Sequence, residues 1–152
     1  MTHATRIGLI SDTHGLLRPE AAKALRGSDL ILHAGDIGAP EILERLGELA
    51  PVIAIRGNID TAAWAARLPE TATVETRAAR IFMIHNVRDL QCTGGHAIIL
   101  SGHSHKPGHT VREGVHFINP GSAGPRRFKL PIAVARLDLR ATPWTVEFIE
   151  LV

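Results

Sequence analysis

The stretch Ile7-Gly8-Leu9-Ile10-Ser11-Asp12-Thr13-His14-Gly15 decides the fold. An unbroken apolar run, the mark of a strand covered on both faces, ends abruptly in a carboxylate, an imidazole and a glycine. Just beyond it, Pro19 suits a first helical turn, and Ala21, Ala22, Ala24 and Leu25 recur at helical spacing until Gly27 closes the segment. Residues 30–32 make a second apolar run. Pro40 opens a second helix carrying Ile42, Leu43, Leu46 and Leu49; Pro51 ends it, and residues 52–55 form a third run. Strand, helix, strand, helix, strand predicts a mainly parallel sheet, and such sheets bind ligands beyond the carboxyl ends of their strands.

The second half reads differently. Residues 74–77 and 81–84 suggest a hairpin around Ala78-Ala79-Arg80, and residues 98–100, 109–112, 115–118, 132–139 and 145–151 read as further short strands. This half is strand-rich and antiparallel in character. In the last strand Val146, Phe148 and Leu151 oppose Glu147 and Glu150. Without repeat, low-complexity tract or linker, residues 1–152 are expected to form a single domain.

At 152 residues the chain is long enough to bury about two-thirds of its unfolded surface. Its 45% apolar, 21% charged and 4% aromatic content fits a globular protein. A net charge of +2 without a Lys/Arg run is too weak a field for a nucleic-acid footprint, so no stable nucleic-acid complex is expected. Cys92 is the one cysteine, so no intrachain disulfide forms, and it is expected to be a partly buried neutral thiol. No apolar stretch approaches the roughly 20 residues of a spanning helix. Residues 1–6 are polar and lack the apolar core of a signal peptide. The expectation is a cytoplasmic protein with no membrane association.

Chemistry gathers at the strand ends. Asp12-Thr13-His14, Gly35-Asp36, Gly57-Asn58 and Gly102-His103-Ser104-His105 each follow an apolar run, and His85 follows another. They supply three oxygen donors and four imidazoles, enough for two metal ions if one group bridges. Such donors suit Mn²⁺, Fe²⁺ and Zn²⁺, and the lack of thiolates argues against a structural zinc site. Asp12 and His14 are two residues apart, as are His103 and His105. At a strand end such side chains point the same way, so each pair is expected to be able to grip one ion.

Taken in order, Asp-x-His, Gly-Asp, Gly-Asn, His and Gly-His-x-His resemble the calcineurin-like metallophosphoesterases. The likeness is nearer to their small bacterial and archaeal phosphodiesterase branch. It rests on residues 9–15, His33-Ala34-Gly35-Asp36, Arg56-Gly57-Asn58-Ile59-Asp60, Ser101-Gly102-His103-Ser104-His105 and Asn119-Pro120-Gly121-Ser122. The resemblance implies an α+β fold, a four-layer αββα sandwich of mixed sheets with a dinuclear metal site at the strand ends. It assigns Asp12, His14 and His105 to one divalent ion, Asn58, His85 and His103 to the other, and Asp36 to a bridge between them. The ions would be Mn²⁺ foremost, with Fe²⁺, Ni²⁺ or Zn²⁺ as alternatives. The implied reaction is hydrolysis of a small phosphate ester, in particular a diester, by attack of a metal-bridging hydroxide.

Further roles attach to neighbouring residues. Asp36, Asn58 and Asp60 are the expected catalytic group, Asp60 by orienting a ligand or water; its plain structural alternative is the N-cap of a helix over residues 61–66. Asn58 and Arg126 are expected to contact substrate, Arg126 by a bidentate grip on phosphate. His33 is expected either to hydrogen-bond near the site or simply to pack. Ile59 stands where many relatives carry a His that protonates the leaving group, so no general acid is assigned. His85-Asn86-Val87 replaces the His-Gly-His common in relatives, and residues 85–103 look short, with a helix reduced there. His3, His96, His109 and His116 receive no role, while Trp64 and Trp144 read as core or interface residues. Three other functions compete. One is a non-catalytic scaffold of the same fold, like that in the eukaryotic retromer coat, another is a phosphomonoesterase, and a third is a nuclease or protein phosphatase, for which the chain is short. Small relatives often pair, so a homodimer is open to it.

Overall fold

In the computed structural model, which describes residues 1–152, ten strands form two five-stranded mixed sheets. The first holds β1 (Arg6–Ile10), β2 (Leu30–His33), β3 (Val52–Ala54), β9 (Ala133–Asp138) and β10 (Thr145–Glu150), in the order β10-β9-β1-β2-β3. β1, β2 and β3 run parallel, with Ile7 beside Leu30 and Ile31 beside Val52. The helices that return the chain between them are α1 (Pro19–Leu25) and α2 (Pro40–Gly47). Each begins on its proline, with Glu20 or Glu41 in the first turn and Lys23 or Arg45 in the last, the arrangement the helix dipole favours.

The second sheet has β4 (Thr71–Glu75), β5 (Arg80–Ile84), β6 (Ile98–Leu100), β7 (Gly108–Arg112) and β8 (Val115–Asn119), in the order β4-β5-β6-β8-β7. Its antiparallel character holds only at the two edges, where β4 pairs β5 and β7 pairs β8. At its centre β5, β6 and β8 are parallel. The connections over residues 85–97 and 101–114 are long enough to carry the chain back, so a hairpin is not forced. β9 and β10 also leave this half of the sequence and extend the first sheet, β9 antiparallel to β1 and β10 antiparallel to β9.

Two cores follow from strand alternation. Leu9, Leu32 and Leu137 of the first sheet meet Ile81, Met83, Ile98, Leu100 and Ile118 of the second in a core between the sheets. On the other face of the first sheet, Ile10, Ile31 and Val134 pack against Leu25, Ile42 and Leu46 of the helices. Trp144 lies partly buried against the inter-sheet core and Trp64 against the helical one. The outer face of the second sheet is covered thinly. Residues 85–97 lie over it with only a 3-10 turn, Val87–Asp89, so the fourth layer of the sandwich lacks a proper helix.

Two local expectations fail. Cys92 is exposed, because the short loop carrying it makes turns over the sheet instead of burying a helical face. Phe148 is 38% exposed on edge strand β10, where Val146 packs on one core and Ile149 on the other. No helix is long and apolar enough to cross a membrane.

Leu32→Ala should lower unfolding free energy by about 3 kcal/mol in urea titration, since Leu32 is fully buried between the sheets. Phe148→Ala should cost roughly 1 kcal/mol or less. Equal losses would contradict this division of core from edge.

Candidate metal centre

All the ligand candidates lie on loops at the carboxyl ends of strands, and the loops are tied to one another by backbone hydrogen bonds. The amides of Asp12, His14 and Gly15 donate to the carbonyls of Gly35 (2.9 Å), Asp36 (2.9 Å) and Ile37 (2.8 Å). Gly102 donates to the His85 carbonyl at 2.9 Å, and Ala123 to that of Ser11 at 3.0 Å. The turns are sharp enough that Asp12, His14, Asp36, His103 and His105 all take left-handed backbone angles, with φ between 47° and 69°. Asp and His tolerate this region better than most residues, and such angles concentrate at functional sites.

Those angles overturn the pairing expected from an extended chain. His103 and His105 do not point at one ion. His105 joins Asp12 and His14, while His103 joins Asp36 and His85, the donor atoms of each trio lying within 4.8 Å of one another. The trios are contiguous. His105 Nε2 is 3.4 Å from Asp12 Oδ1, and His85 Nε2 is 3.3 Å from Asp36 Oδ2. Across the join, His14 Nε2 is 3.7 Å from Asp36 Oδ2 and His85 Nε2 is 3.9 Å from Asp12 Oδ1. Asn58 is exposed and lines a cavity of about 740 Å³ together with His85 and His103.

The polar atoms at the centre are buried and unpartnered. Asp12 Oδ1, His14 Nε2 and His85 Nε2 have no hydrogen bond, a costly state for polar groups out of water. Outward, the same side chains are well braced. Ser11 Oγ donates to Asp12 Oδ2 at 2.7 Å and the His103 amide to the same oxygen at 3.1 Å. The Ile59 amide donates to Asp36 Oδ1 at 3.1 Å. The Ala34 carbonyl can only accept, so His85 Nδ1–H donates to it at 2.7 Å and the Nε2 lone pair faces inward. Glycine is required where backbone meets these groups: a Cβ on Gly57 would collide with Asp36, and one on Gly102 would lie 2.6 Å from Asp12 Oδ2. Inward lone pairs without partners, carboxylates between imidazoles and a braced outer shell fit divalent cations well.

Charge follows the same geometry. Burial pushes Asp36 up, but His85, the Ile59 amide and His14 outweigh it and hold the carboxyl below its ordinary range. Burial pushes His85 down, yet the Asp36 carboxylate and the Ala34 carbonyl raise it above the usual histidine value.

Asp60 is not a helix cap. The 3-10 helix that follows spans Ala63–Arg67 and has Ala62 at its N-cap. The Asp60 carboxylate instead accepts from the amides of Gly57 (2.8 Å), Gly38 (3.0 Å) and Ile37 (3.1 Å), pinning the Asp36 and Asn58 loops together. Arg126 is turned away. Its guanidinium donates to the Leu130 carbonyl at 3.3 Å, and Arg127, the next residue, lines the open space beside His103. Asn119 and Ser122 act as braces: Asn119 Nδ2 donates to the Gly102 carbonyl at 2.9 Å, and Ser122 Oγ to the Asp12 carbonyl at 3.0 Å. Sequence reading misses Ser11 and Thr13 as supports, although both flank Asp12 in the first motif.

Residues 5–142 match the family model of the calcineurin-like phosphoesterase superfamily domain. The chain belongs to this superfamily. A probable metallophosphoesterase from Methanothermobacter thermautotrophicus is 36% identical over 148 residues, covering 87% of this chain and 86% of that protein. Among solved structures, a novel archaeal phosphodiesterase superposes with a TM-score of 0.80 at 21% identity, covering 95% of this chain and 99% of the other. Vacuolar protein sorting 29 from Cryptosporidium parvum superposes with a TM-score of 0.74 at 20% identity, covering 98% of both chains. At such identities the two structures establish the shared fold, and the family is one of metal-dependent phosphoesterases.

His33 yields a test of the bracing. Thr13 Oγ1 donates to the Ile37 carbonyl at 2.8 Å, so His33 Nε2–H donates to Thr13 Oγ1 at 3.0 Å, and His33 Nδ1 accepts from the Gly35 amide at 3.1 Å. The ring is therefore neutral, and complete burial, only partly countered by Asp12 and Asp60, lowers its pKa from 6.5 to about 4. A lowered pKa gives stability that is whole above pH 6.5 and lost as pH falls towards 4. Between pH 7 and 5 this group should remove about 2 kcal/mol from the metal-free protein. In chelator, His33→Asn should flatten the loss seen in wild type by that amount; an unchanged slope would place the acid sensitivity elsewhere.

Proposed function

We propose that this chain is a two-metal phosphodiesterase acting on small phosphate diesters. The observation that carries the reading is a pair of open cavities, about 740 and 1030 Å³, that both reach His103 and Asn86 from different sides. A diester needs room for a substituent on each side of phosphorus, whereas a monoester needs it on one. Asp12, His14 and His105 would hold one ion, Asn58, His85 and His103 the other, and Asp36 would be shared. When bound, such ions polarise a phosphoryl oxygen and lower the pKa of bound water.

The chain's own residues orient and hold. Asp60 accepts from the amides of Gly57, Gly38 and Ile37 and so ties the Asp36 loop to the Asn58 loop, and Asn58 lines the open cavity beside His85 and His103. Ile59, 42% exposed beside the site, offers no proton to a leaving group. Esters whose leaving group is stable as an anion are therefore the better substrates. A non-catalytic scaffold is the second reading, since Vps29 shares the fold. The buried, unpartnered atoms of Asp12, His14 and His85 favour a cation site over it.

Turnover of bis-p-nitrophenyl phosphate and p-nitrophenyl phosphate, with and without Mn²⁺, tests the proposal. Diester cleavage should depend on Mn²⁺, exceed monoester cleavage and fall about a hundredfold or more in Asp36→Asn. Equilibrium dialysis should find two Mn²⁺ per chain, and fewer in the variant. Monoester preference would refute the diester assignment, and absence of micromolar binding of any divalent ion would return the chain to the scaffold reading.

A further inference from the structure

The two cavities flanking His103 differ in charge. The larger is lined by Arg88, Lys106, Arg127 and Lys129 and by no acidic residue. None of these four cations makes an ion pair; the ion pairs of the chain lie elsewhere, among Arg6, Arg56, Arg80, Arg136, Arg140 and the metal-centre histidines. The smaller cavity is lined by Glu70 and Asp89 beside Asp60, and its Arg56 is tied to Glu70 at 3.4 Å. Other cations of the chain are unpaired too; what sets these four apart is that they line one cavity beside the centre with no carboxylate among them.

Among these cations stands Phe128. It is 87% exposed, and its backbone is left-handed at φ 54°, a conformation uncommon for a bulky side chain. Nothing in the fold requires an aromatic ring there, since both cores are complete without it. Exposed rings beside free guanidinium and ammonium groups suit a ligand that is flat at one end and anionic at another.

We propose that the larger cavity is the subsite for a nucleotide moiety bearing a phosphate beyond the scissile one. This rests on the phosphodiesterase reading above and deepens it. The diester would lie across His103, with its nucleotide side on Phe128 and its additional phosphate held by Arg127 and Lys129, and with its uncharged substituent towards Thr61 and Ala62. The substrate class is thus a small nucleotide diester carrying at least one further phosphate. Two exposed charge contacts, each weakened by solvent, predict roughly a tenfold gain in affinity for that phosphate.

The test has a kinetic and a metal-free arm. The p-nitrophenyl ester of thymidine 5′-phosphate is compared with the same ester carrying a 3′-phosphate. The 3′-phosphate should lower KM about tenfold at low salt, less at high salt, and Arg127→Gln/Lys129→Gln should erase the difference. In chelator, calorimetry should show thymidine 3′,5′-bisphosphate binding about tenfold tighter than thymidine 5′-monophosphate, again only with both cations present. Phe128→Ser should weaken the bisphosphate roughly tenfold while leaving inorganic pyrophosphate binding as it was, because only the former can stack. These side chains are exposed, so their replacement does not threaten the core.

The outcomes separate the two claims. Diester turnover without any gain from the 3′-phosphate, in KM or in binding, overturns the subsite and leaves the phosphodiesterase standing. Retained discrimination in binding with no diester turnover upholds the subsite and overturns the reaction. Tighter binding of an oligothymidylate than of the bisphosphate would make the groove a strand-binding surface and overturn the small-molecule assignment.

Discussion

Two buried carboxylates that face one another through a ring of imidazoles set the terms for everything around them. Asp12 has no exposure at all and Asp36 only 3%. Like charges at such depth stand only if positive groups and N–H donors surround them. The loops are shaped to supply both. The left-handed turns at Asp12, His14, Asp36, His103 and His105 bring amides and imidazole nitrogens inward together, which no run of extended backbone could do. Behind them, Ser11 braces the Asp12 carboxylate, and Asp60, His33 and Asn119 each fix a piece of backbone by hydrogen bonds, so the strain of the turns is held by a network and not by any one contact.

The sheets exist in this form because that ring needs loops from both. The Asp12, Asp36 and Asn58 loops leave the first sheet at β1, β2 and β3, whereas His85 and residues 103–105 leave the second at β5 and β6. Parallel strands at the centre of both sheets place all five loops at one edge of the sandwich. The apolar layer between Leu9, Leu32, Met83 and Leu100 then sets the distance between the halves of the site. Core packing and ligand geometry are one problem here: a shift of either sheet would separate Asp12 from His105.

Much of this is legible in the amino-acid sequence alone. Continuous apolar runs mark β1, β2 and β3 because both faces of each strand are covered, and prolines mark the starts of α1 and α2. The gathering of Asp12, His14, Asp36, His85, His103 and His105 is legible because each candidate donor sits within a few residues of a strand end. The central β5-β6-β8 pairing is not, since nothing local to Ile98 or Ile118 records which distant strand lies beside it. Spacing alone hides the division of His103 from His105, because the period-two rule assumes extended backbone and these residues are left-handed; the order of motifs, through the family resemblance, separates them. For Arg126 and Arg127, adjacency in sequence says that one would face the site, and the local path of the loop decides which. Cys92 departs from expectation because the average burial of cysteine carries no information about a particular surface turn.

The unpartnered lone pairs at the centre also bear on stability. Each of Asp12, His14 and His85 keeps a buried atom without a hydrogen bond, so the metal-free fold carries an unfavourable term that tertiary packing must offset. A cation that satisfies those atoms in the folded chain finds no such arrangement in the unfolded one, where the ligands lie as far apart in sequence as Asp12 and His105. Its binding free energy would therefore add to folding free energy. The same loops that would make a poor apo structure are then the ones that confer affinity, and removing a brace such as Asp60 would weaken both together without touching a ligand. The site and the stability of the fold are coupled through the geometry of five turns.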